Sequence, residues 1–116
     1  MFHYKTLQVY QTAKDLYRYI RNILTVSKPD RIIADQLHRA SLSVLLNIVE
    51  GAGRRTAPDK RNFYVVARAS VFEVSEICDI LHEEKCISSE ELEKLNDTLE
   101  QLSKMLFKMI QVYTKK

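Results

Sequence analysis

Tryptophan is absent from this chain of 116 residues, and glycine, proline and cysteine occur only twice each. Each shortage excludes something. Two glycines and two prolines are too few turn formers for the hairpins of a sheet protein, so long helices are favoured. Cys78 and Cys86 stand eight apart in a periodic segment. That is roughly 12 Å along a helix, too far for a disulfide, so they read as reduced thiols of a cytosolic protein. No stretch approaches the ~20 apolar residues of a membrane span, and the beginning of the chain lacks the apolar core and cleavage site of a secretion signal. The expected setting is the cytoplasm, without a membrane partner.

What is present is globular in composition, 46% hydrophobic and 28% charged. A single domain of this length can bury a core without metal or disulfide. The net charge of +3 is unevenly spread: residues 1–70 carry twelve Lys/Arg against five Asp/Glu, and residues 71–116 carry six against ten. Such an asymmetry either steers a polyanion or pairs two parts of the fold.

Hydrophobic periodicity predicts four helices, about 7–24, 30–50, 57–84 and 89–113. In the first, Val9, Tyr10, Ala13, Leu16, Tyr17, Ile20, Ile23 and Leu24 make one apolar face, with Lys14, Arg18 and Arg21 opposite. Ser27, Lys28, Pro29 and Asp30 break the pattern and start the next helix. There, Ile33, Leu37, Ala40, Val44 and Ile48 form one stripe, and Leu42, Leu45, Leu46 and Val49 form another, turned away from it. Gly51 and Gly53 are expected to end this helix. Thr56 is expected to cap the third, with Pro58 in its first turn and Asp59 at its third position. Its core stripe reads Phe63, Val66, Ala67, Ser70, Val74, Ile77, Cys78 and Leu81, leaving Val65 and Phe72 off it. Ser88 and Glu91 have the spacing of a capping box, and Leu92, Leu95, Leu99, Leu102, Leu106, Met109 and Ile110 follow.

Short connections between helices of similar length require antiparallel neighbours, hence an all-α, up-down-up-down four-helix bundle. No helix of such a bundle is central. The second stripe of helix two therefore predicts a homo-oligomer interface of Leu42, Leu45, Leu46 and Val49, joined by Val65 and Phe72.

Three constellations bear on chemistry. Cys78, His82 and Cys86 recur every four residues on one helix face, but a tetrahedral metal site needs ligands from elsewhere. His3 and His38 have no reason to converge there, so core thiols and a surface histidine are the simpler reading. Gln36, Arg39, Ser43, Asn47 and Glu50 form a polar arc without any nucleophile–base pair. The expectation is a buried hydrogen-bonded network, with Arg39 and Glu50 satisfied by Ser70 and Glu73. Arg54, Arg55, Lys60 and Arg61 surround the one real loop, where cations beside a helix N-terminus suit phosphate groups. Arg39, Arg18 and Arg21 are weaker candidates for the same contact. A phosphate-binding P-loop is excluded because its lysine and second glycine are missing. No enzyme and no cofactor is expected.

Gln36, Leu37, His38, Arg39 and Ala40, then Ser43, then Asn47 through Arg54 resemble the signature of the 23S rRNA intervening-sequence proteins. Leu7 through Gln11 with Ala13 resembles the opening segment of that family, and Ala67 through Ser70 with Glu73 its third-helix motif. Tyr10 stands where the family usually has Trp, His38 for the first of two arginines, Val49 for an alanine and Ala69 for a glycine. The resemblance runs essentially end to end. It implies an up-down bundle that assembles as a ring, commonly a pentamer. It also brings in related bundles that accompany retroelement reverse transcriptases, where a basic ring binds nucleic acid and the enzyme. The function expected is a non-catalytic oligomeric bundle that contacts RNA or DNA through its basic surface. The alternative is a protein-interaction scaffold with no nucleic-acid role.

Overall fold

The computed structural model describes residues 2–114. After a 3-10 turn at His3–Thr6 come four helices: α1 (Gln8–Ser27), α2 (Arg31–Gly53), α3 (Ala57–Glu83) and α4 (Ser89–Val112). The starts of α2, α3 and α4 are set by side-chain caps. The Asp30 carboxylate accepts from the Ile32 backbone N–H at 2.8 Å and the Thr56 hydroxyl from Asp59 N–H at 3.3 Å. Ser88 and Glu91 exchange hydrogen bonds as a capping box, at 3.1 and 2.9 Å. Each cap satisfies a donor that the helix leaves without an internal partner.

Sequential helices pack side by side and α1 closes on α4, while among the described residues the diagonal pairs α1–α3 and α2–α4 have no close backbone approach. Cross-helix contacts fix the direction. Ser43 meets Ser70 and Gly51 meets Tyr64, so α2 and α3 run antiparallel. Arg68 reaches Ser103 and His82 reaches Ser89, so α3 and α4 do too. The fold is the expected up-down-up-down bundle. Its core runs through Leu16, Ile20, Leu37, Val44, Ile48, Val74, Leu81, Leu95, Leu102 and Leu106.

Three expectations are corrected. Gly51 does not end α2: it lies inside the helix, is buried, and faces the ring of Tyr64. The stripe of α3 begins differently, with Tyr64 and Val71 in the core while Phe63 is half-buried and Val66 exposed. The two corrections share a cause, because the space left at Gly51 admits the Tyr64 ring and sets the rotation of the first turns of α3. Leu45, expected at an oligomer interface, is 6% exposed and belongs to the protein's own core on the α1 side of α2.

Among the described residues no helix is long and apolar enough to cross a membrane.

Candidate nucleic-acid interface

The antiparallel pairing changes how charge is distributed. On α3 the cations Lys60, Arg61 and Arg68 precede an acidic half with Glu73, Glu76, Asp79 and Glu83. On α4 the order reverses: Glu90, Glu91, Glu93, Asp97 and Glu100 come first, Lys104 and Lys108 last. Because the two helices run in opposite directions, both basic halves meet at one end of the bundle and both acidic halves at the other. The α2–α3 loop with Arg54 and Arg55 lies at the basic end, together with Lys5 of the 3-10 turn. The uneven charge within α3 and α4 thus becomes a difference between two ends in space. Acidic residues at the C-terminus of α3 oppose its macrodipole, so helix stability does not account for them.

The seven candidate cations do not form one patch. Arg54 pairs with Glu50 at 2.9 Å and lies over the Phe63 ring at 4.6 Å. The Lys60 ammonium donates to the carbonyls of Gly51 at 3.3 Å and Ala52 at 3.0 Å, closing the open last turn of α2. Its role in the monomer is therefore structural as well as electrostatic. Arg55 is exposed and Arg61 half-buried, and among the described residues neither has an ion-pair partner. Arg39 lies fifteen residues before Arg54 on α2, roughly 22 Å along the axis. Arg21 donates to the Tyr17 hydroxyl at 3.1 Å and lies 3.3 Å from His38 Nε2, on the α1–α2 face, one turn from Arg18. Arg18, Arg21 and Arg39 are thus separate from the loop cluster.

The expected polar network contracts to three residues. Ser43 and Ser70 hydroxyls are 2.8 Å apart across the α2–α3 seam, and Asn47 donates to the Ser43 hydroxyl at 3.1 Å and carbonyl at 2.8 Å. Gln36, Arg39, Glu50 and Glu73 are exposed, and the predicted satisfaction of Arg39 and Glu50 by Ser70 and Glu73 does not occur. Only small hydroxyls lie close enough to the seam to bridge it, while the longer side chains point into solvent.

The apolar residues proposed for assembly also separate. His38 touches Tyr17 of α1, and Leu42 and Val49 continue its column, so they belong to the α1–α2 face, with Leu46 beside them on the outward side of α2. Leu46 is 49% exposed. Arg68 donates to the Ser103 carbonyl of α4 at 3.2 Å and lies between the rings of Phe72 and Phe107 at 5.0 and 5.2 Å. Val65 and Phe72, the latter 55% exposed, therefore belong to the opposite face, α3–α4. Sequence reading missed Phe107, whose helical phase off the α4 leucine stripe was the available signal.

Burial, aided by the nearby Asp79 carboxylate, pushes the Cys78 thiol up to about 12, where it is inert at neutral pH. His82 Nε2 is 3.0 Å from the Ser89 hydroxyl. Among the described residues no group of three or more His, Cys, Asp or Glu side chains could hold a metal ion.

No curated protein matches the chain. Its fold is similar to that of a crystal structure from Bacteroides thetaiotaomicron, a protein with unknown function from the S23 ribosomal protein family. The TM-score is 0.82 at 21% identity, over 88% of this chain and 97% of that one. The sequence model of the 23S rRNA-intervening sequence proteins matches residues 5–108, which contain all four helices except the last turn of α4, the Ser43–Asn47–Ser70 seam and the Gly51–Tyr64 contact. The chain belongs to the 23S rRNA-intervening sequence protein family.

Proposed function

We propose that this protein is a non-catalytic bundle that binds RNA or DNA phosphates with the end carrying Arg54, Arg55, Lys60 and Arg61. The observation behind this reading is the end-to-end segregation of charge produced by antiparallel α3 and α4. A polyanion approaching such a dipolar rod is attracted to one end and repelled from the other. Binding of this kind releases counterions and falls steeply with salt. Structured RNA and single-stranded DNA are retained at low salt and released as salt rises. Replacing Arg55 and Arg61 with Ala lowers the slope of log affinity against log salt. Failure to retain either nucleic acid at low salt overturns the reading.

A second reading, a scaffold built by self-association, is supported by a different observation. Two apolar patches lie on opposite faces: Leu42, Leu46 and Val49 on one, Val65, Phe72 and Phe107 on the other. Residues 8–53 carry six cations against four acids, and residues 57–112 seven against eleven, so the two faces also differ in sign. Opposite patches of opposite charge suit a head-to-tail contact, which closes into a ring when its rotation allows. A pentamer is the ring that the resemblance suggests. The readings are compatible, because a ring carrying several weak basic ends binds a polyanion with avidity.

A further inference from the structure

The basic end also carries aromatic rings, and one pair is unexplained by packing. Phe2 is 71% exposed, and its ring stacks on Tyr4 with centroids 6.0 Å apart and planes 25° from parallel. Tyr4 is held from behind by an edge contact to Tyr10 at 5.1 Å, and Lys14 lies 5.8 Å from the Tyr10 centroid. The 3-10 turn beneath them is fixed at both ends. The Thr6 hydroxyl donates to the His3 carbonyl at 2.8 Å, and the Gln11 amide reaches back to the Lys5 carbonyl at 3.3 Å. Since Tyr17 is level with His38 in the antiparallel α1–α2 pair, residues 3–6 are level with the last turn of α2. The stacked pair thus sits at the same end as Arg54 and Arg55, beside the exposed Lys5.

An exposed ring stacked on a braced one, at the same end as the exposed cations Lys5 and Arg55, matches the chemistry of single-stranded nucleic acid. Unpaired bases offer π-faces to stack, and the backbone runs along the cations. A duplex keeps its base faces covered and offers only phosphates. We propose that Phe2 and Tyr4 form a base-stacking platform, so that the basic end prefers single-stranded over double-stranded nucleic acid. This rests on the reading of that end as a phosphate-binding surface.

The test compares a labelled oligo(dT) with a mixed-sequence DNA duplex of equal length, by fluorescence anisotropy at fixed low salt. The variants are Phe2→Leu with Tyr4→Leu, which keeps apolar bulk but removes the rings, and Arg55→Ala with Arg61→Ala. Circular dichroism melts check that each remains folded. The expected result is tighter binding of oligo(dT), weakened about tenfold by the leucine pair, with its salt slope and the duplex affinity unchanged. The arginine variant weakens both probes and flattens both salt slopes. Equal binding of the two probes, or no effect of the leucine pair on oligo(dT), overturns the stacking platform while leaving phosphate binding intact. Loss of all binding at low salt removes both.

Discussion

Gly51 and Tyr64 occupy one space: a β-carbon on Gly51 would lie 2.5 Å from Cε1 of the tyrosine ring, closer than any real contact. The ring is fully buried, and it fills the place where α2 and α3 approach each other near their connecting loop. The obstruction is the ring itself, backed by core residues, so a short displacement does not relieve it.

Gly51→Ala therefore lowers stability by about 1–3 kcal/mol, the cost of overpacking a close-packed site. Gly53, where an added β-carbon meets nothing, behaves oppositely. Gly53→Ala is neutral or gains up to about 1 kcal/mol from reduced backbone entropy. Urea denaturation of the two variants separates a packing role from a conformational one. Equal effects would discount the close approach to Tyr64.

The Ser43–Ser70 contact predicts coupling. Either serine replaced by alanine costs about 1 kcal/mol, and the double variant costs less than the sum, because the second loss has no partner left to strand. Asn47 keeps the Ser43 carbonyl in every variant, so the cycle reports mainly on the hydroxyl pair. Strict additivity in a double-mutant cycle would show that the two hydroxyls do not interact.

Self-association through unlike faces makes a prediction that a two-fold contact does not. Leu46→Glu and Phe72→Glu each reduce the native mass measured by light scattering, with helicity retained. Mixed in equal amounts, the two variants pair, because each still carries one intact face of a complementary pair. If the contact joined like faces, only one of the two variants would dissociate on its own, and mixing would not restore its association. A monomeric unmodified protein would remove the scaffold reading.

Alkaline pH should destabilise the bundle over a defined window. Burial, with the neighbouring Tyr113, pushes Tyr64 up from 10.0 to about 12, and burial pushes Cys78 up from 9.0 to about 12. Both groups are neutral when protonated, and folding favours that form. Their contribution is therefore complete below about pH 9 and is lost as pH rises through about 12. Denaturation curves across this range, together with ultraviolet detection of tyrosinate, should show a late-titrating tyrosine that is missing from Tyr64→Phe. At neutral pH a thiol reagent should modify half-buried Cys86 in the folded protein and Cys78 only after unfolding.

Much of this architecture was legible in the residues alone. Caps at Thr56 and Ser88, the α1 and α4 stripes, and the scarcity of turn formers dictate four helices and short connections, since these are local properties of hydrogen bonding and helical period. Family signature residues were readable for the same reason. Tertiary structure decided what depends on two segments at once. It put Tyr64 rather than Phe63 in the core because Gly51 is empty, and it took Leu45 into the core while leaving Leu46 outside. It held Ser43 to Ser70 but left Arg39 and Glu50 in solvent. Above all, antiparallel packing converted a charge difference along the chain into a difference between two ends, because only the direction of each helix determines which of its halves become neighbours.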